Sequence, residues 1–175
     1  MARKYAVCIG INQYAAGSEL SSLQFAQADA EVLEKVLREY GGFQTRLLVG
    51  REATRAAIES AVCNAPASEL LLFFFAGHGQ LIGNDYCLHP SDSQLSGMGS
   101  IPFKTLANQW QNSGRHEKVL ALVDACRSTL GTSGKRGAGL ENASARDIAK
   151  ATEGDRQVDI VYGCSEGQVS YEDET

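Results

Sequence analysis

A chain of 175 residues, 43% hydrophobic and 21% charged, is long enough to bury one substantial core and too apolar to be disordered. Its formal net charge of -5, with no basic stripe, argues against nucleic acid as a direct partner. The longest apolar run, Leu70 to Ala76, is far too short to span a bilayer, and the opening MARKYAVCIG has neither the apolar length nor the small-residue cleavage site of a secretory signal.

In chain order, Tyr5 to Ile11 is an apolar run without helical period, which predicts a buried strand. Ala26 to Tyr40 carries Val32, Leu33, Val36, Leu37 and Tyr40 at helical spacing and stops at Gly41-Gly42. Gln44 to Val49 reads as a second strand. Thr54 to Asn64 reads as a helix with Thr54 as its cap and Pro66 just beyond its end. Glu69 to Ala76 is a third, fully buried strand, Lys104 to Asn112 a short helix, Lys118 to Asp124 a fourth strand and Asp159 to Gly163 a fifth.

This alternation predicts an α/β domain with a mostly parallel sheet and helices on both faces. Sites in such sheets form beyond the carboxyl ends of the strands. Residues 127–157 break the pattern with glycine, serine, alanine and scattered basic residues, and a loop of that length in a compact domain is usually functional or disordered. No repeat or linker divides residues 1–175 into two domains.

Two strand ends carry chemistry. His78 follows a buried apolar run and lies between Gly77 and Gly79, which keep side chains clear of it; the Gly79 N–H is open to a substrate oxygen. Cys126 lies just past another buried strand, 48 residues after His78. A histidine at the end of a neighbouring parallel strand can take the proton of such a thiol. An isolated turn histidine or buried cysteine would deserve no such reading, and Cys8, Cys63, Cys87 and Cys164 read as small buried hydrophobes. Five cysteines without a C-x-x-C pair argue against zinc and for a reducing, cytoplasmic setting.

The segments FFFAGHGQ and LVDACRS resemble the two catalytic motifs of the caspase clan. Asp124-Ala125-Cys126-Arg127 is more similar to the metacaspase and orthocaspase branch, and YAVCIGINQY, LQFAQADAEVLEKVL and GCSEGQVSYE resemble further family elements. The resemblance implies a caspase-like fold, here without the family's final helix and strand. It implies a cysteine endopeptidase in which Cys126 attacks the scissile carbonyl, His78 handles the protons, and the backbone N–H groups of Gly79 and Cys126 hold the oxyanion. No third, orienting side chain can be named from the sequence.

The same resemblance assigns Asp29 and Asp124 to recognition of a basic substrate residue, and places Glu172 where caspases carry a pocket arginine. Asp29 is aligned with Val32, Leu33 and Val36, which predicts that it faces the packed side of its helix. Three acids around one pocket favour arginine over lysine. Asp85 and Asp92 flank the strand-like Tyr86-Cys87-Leu88-His89-Pro90 but lack the density calcium prefers, so no metal ligand is assigned and calcium activation stays open without being favoured. His89 and His116 read as surface or turn residues. Residues 127–157 read as an activation loop, with Arg136 and Arg146 as candidate self-cleavage sites. The expected partners are peptide or protein substrates and a complementary small-subunit segment, for a chain that is otherwise monomeric. A non-catalytic, caspase-like scaffold is the alternative.

Overall fold

The computed structural model of the protein describes residues 3–125 and 157–163. Five parallel strands form its main sheet: β1 (Lys4–Gly10), β2 (Gln44–Val49), β3 (Ser68–Ala76), β7 (His116–Asp124) and β8 (Gln157–Tyr162), in the order β2-β1-β3-β7-β8. The mixed α/β architecture is the one expected from the sequence. Three short strands, β4 (Gly79–Ile82), β5 (Asp85–Leu88) and β6 (Ile101–Pro102), make a separate antiparallel sheet that the sequence reading left out as a unit.

The central strands read as apolar runs because both their faces are covered. Val7 and Ile9 of β1 join Phe73 and Phe75 of β3 and Val119, Ala121 and Val123 of β7 on one face. There they meet helices α2 (Arg55–Cys63) and α3 (Phe103–Ser113), through side chains such as Ile58 and Trp110. Ala6, Cys8 and Leu72 face the other way, towards Leu33 and Leu37 of helix α1 (Ala26–Glu39). Thr54 caps α2 as anticipated, its side chain accepting the Ala57 N–H at 3.2 Å. Gly114, at φ 67°, ends α3 in the left-handed conformation glycine allows.

Helix α1 corrects the sequence reading. Its packed stripe is Ala26, Ala30, Leu33 and Leu37, whereas Val32, Val36 and Tyr40 are 64%, 47% and 82% exposed. Asp29 is exposed with them, not turned to the packed side. The reason is a close approach: a Cβ on Gly10 would lie 2.4 Å from the Ala26 carbonyl oxygen and 2.7 Å from the Ala30 Cβ. Small residues let the helix settle on the end of β1, and the bulkier valines are carried round to solvent.

His89 and His116 are also corrected: each is buried, at 1% and 3% exposure. Both ring nitrogens of His89 meet neighbours, Ser93 and Gln80, and His116 Nδ1 lies 2.8 Å from the Ser68 hydroxyl, contacts that help make burial tolerable. Burial holds the pKa of both below the ordinary histidine value. Cys8 and Cys87 are buried as anticipated, whereas Cys63 is exposed near the end of α2. Among the described residues, no helix is long and apolar enough to cross a membrane.

Candidate active site

The two motifs are brought to one place by strand register. Ala76 on β3 pairs with Asp124 on β7, and the Gly77 N–H extends the ladder to the Asp124 carbonyl at 3.2 Å. His78 is two residues beyond one member of this pair and Cys126 two residues beyond the other. Gly10 of β1 is level with Ala76 in turn, and the first turn of α1 rests on Gly10. Asp29, in that first turn, therefore belongs to the same end of the sheet as His78 and Asp124. Cys126, Glu172, Arg136 and Arg146 lie outside the described residues, as does Cys164.

His78 is half-buried and held on three sides. Its Nε2 is 2.8 Å from the Ser21 carbonyl oxygen and 3.3 Å from the Ser21 hydroxyl. A carbonyl only accepts, so Nε2 carries the proton and donates it, and Nδ1 keeps the lone pair a base needs. The His78 N–H donates to the Tyr14 hydroxyl at 2.8 Å, and the Tyr14 ring lies 5.0 Å from the imidazole, tilted by 37°. The His78 carbonyl accepts from His89 N–H at 3.0 Å.

Ser21 and Tyr14 were not found from the sequence. A backbone carbonyl has no residue-type signature, and Tyr14 sits inside a segment whose signal was its strand. Both belong to the loop between β1 and α1, which Asn12 closes. The Asn12 side-chain amide donates to the Gln24 carbonyl and its Oδ1 accepts the Gln27 N–H, each at 2.9 Å, while its own carbonyl accepts from Leu23.

Gly79 opens β4 and pairs with Leu88. Because the hydrogen bond linking the two strands here runs from His89 to His78, the Gly79–Leu88 pair is the kind that exchanges none. The Gly79 N–H thus stands outside the hairpin's ladder.

Asp124 is exposed at the end of β7. A Cβ on Gly163 would come within 2.5 Å of its Oδ1, so the glycine after β8 is what gives this carboxylate its room. The other acids of the region are engaged elsewhere. Asp85 forms an ion pair with Lys104, and Asp92 accepts the Arg55 N–H at the start of α2, at 2.8 Å. Among the described residues, no group of three or more histidines, cysteines and acids could hold a metal ion.

Two other thiols are poor nucleophiles. Burial, with a smaller push from Glu34, raises Cys8 to about 12, and burial raises Cys87 as well.

No curated protein matches the sequence. The chain is similar in structure to the crystal structure of protein GSU0716 from Geobacter sulfurreducens, with a TM-score of 0.58 at 20% identity. That match covers 73% of this chain and 52% of the other, so the shared part spans about half of the solved protein, and at this identity it speaks for the fold alone. The family description "Caspase domain" matches residues 3–175. With parallel strands that end in a histidine motif and a cysteine motif, and a match over almost its whole length, the chain belongs to the caspase domain family of cysteine peptidases.

Proposed function

We propose that this domain hydrolyses peptide bonds after basic residues, arginine above lysine, with Cys126 as nucleophile and His78 as its base. The observation that carries the reading is the fixed imidazole of His78, its Nε2–H spent on the Ser21 carbonyl, at a strand end in register with the one leading to Cys126. His78 Nδ1 takes the thiol proton, and the Cys126 sulfur attacks the scissile carbonyl carbon. The oxyanion is held by the N–H groups of Gly79 and Cys126. As the C–N bond breaks, the imidazolium gives its proton to the leaving amine, leaving a thioester. His78 then takes a proton from water, whose oxygen attacks the thioester and frees the carboxylic product and the thiol.

Asp124 and Asp29 supply negative charge at the same end of the sheet, and Glu172 is the third acid of this reading. Paired carboxylates suit the planar guanidinium better than the compact ammonium. The reading places the chain in the metacaspase and orthocaspase branch, acting on peptide or protein substrates without a metal. It includes regulation by the segment 127–156, in which the enzyme would cut itself after Arg136 or Arg146. Gln157, once counted with that segment, begins β8.

A peptide library carrying arginine, lysine or aspartate before the scissile bond tests this. Wild type should cut after arginine, more slowly after lysine and not after aspartate, and Cys126→Ala should cut nothing. In the same incubation, intact-mass analysis should show fragments ending at Arg136 or Arg146 for wild type alone. Cleavage after aspartate would overturn the acidic pocket.

A further inference from the structure

Tyr86 is 4% exposed on β5, yet its hydroxyl donates to the Ala125 carbonyl at 3.3 Å. Ala125 is itself buried, one residue past the end of β7 and one residue before Cys126. A buried carbonyl needs a hydrogen-bond partner, and Tyr86 reaches this one from the second sheet.

The tyrosine is held firmly enough to provide one. Its ring stands edge-on to Tyr162 of β8 at 5.6 Å and lies 6.3 Å from Phe103 of α3. Phenylalanine would keep the ring packing at this position and lose the bond to Ala125.

The element that carries Tyr86 makes this bond more than a local one. The β4–β5 hairpin leaves the main sheet immediately after His78, and its return strand pairs Tyr86 with Leu81. Its root is tied to His78 by the His89 N–H. One short hairpin thus holds the histidine strand end at its root and the backbone before Cys126 through its return strand.

We infer that Tyr86 is a positioning residue for the nucleophile: through the Ala125 carbonyl it sets the backbone that presents Cys126 to His78. This rests on the reading of Cys126 as nucleophile. The hydroxyl touches neither substrate nor the reacting atoms, so its loss should alter how well the thiol meets its base and leave substrate binding alone. Small misplacements of reacting groups cost much rate.

The test compares wild type, Tyr86→Phe, Tyr162→Phe and Cys126→Ala on an arginyl peptide. Tyr86→Phe should lower kcat roughly tenfold, with KM within about twofold of wild type and a melting temperature close to it. The pH dependence of Cys126 alkylation by iodoacetamide should be displaced in the same variant. Tyr162→Phe removes a hydroxyl from the same aromatic cluster without touching the Ala125 bond, and should leave kcat and the alkylation profile near wild type. Unchanged kcat and alkylation in Tyr86→Phe, with Cys126→Ala inactive, would overturn the inference while leaving the nucleophile in place. Equal losses in both tyrosine variants would overturn it in favour of general loosening. Turnover retained by Cys126→Ala would instead remove the nucleophile, and this inference with it.

Discussion

His89 shares the hairpin root with His78 and is buried there as a neutral ring between Gln80 and Ser93. Burial first, and the nearby His78 second, hold its pKa down to about 4, against 6.5 for a free histidine. Between those two values the unfolded chain binds a proton that the folded chain does not. The stability this neutral ring secures is therefore complete above pH 6.5 and declines as the pH falls towards 4, by at most roughly 3 kcal/mol. Urea midpoints at pH 7.5 and 4.5 for wild type and His89→Gln should show the larger drop in wild type. Equal drops would contradict the assignment. The sequence offered no sign of this burial. A histidine beside proline resembles a turn residue until its partners, nine residues before and four after it, are seen to satisfy both nitrogens.

The loop between β1 and α1 acts on the site as one piece. Asn12 closes it at both ends, and Ser21 within it fixes the imidazole. Replacing Asn12 by alanine removes two side-chain hydrogen bonds, typically worth about 1 kcal/mol each. We expect a modest loss of stability and a larger loss of kcat, about tenfold or more, since the base loses the group that orients it. A variant that loses stability but retains kcat would show that the loop does not orient His78. Strands and helices of this size were legible because apolar runs and helical spacing announce them. The face of α1 was not, because two stripes of helical period overlap. Val32 and Val36 carry the greater hydrophobicity, yet Ala26 and Ala30 allow the closer approach to Gly10. Of the β4–β5 hairpin, the return strand was legible in part as Tyr86 to Pro90, but β4 and the pairing were not, because a strand of four residues gives too few alternations to stand out from a loop.

In the molecule as a whole, the sheet order places the ends of β1, β3 and β7 level, and the candidate site follows from that register. This much was legible from two short motifs, each just past a buried apolar run. What held the histidine was not, because its partners are a backbone carbonyl and a tyrosine from a loop more than fifty residues earlier in the chain. The account's central claim is that Cys126, activated by His78, is the thiol that reacts. It is tested most directly by labelling the protein with an arginyl chloromethyl ketone and mapping the adduct by mass. The expected result is one adduct on Cys126 in wild type, much slowed in His78→Ala and absent in Cys126→Ala. An adduct on exposed Cys63, or labelling of Cys126 at the same rate without His78, would contradict the account.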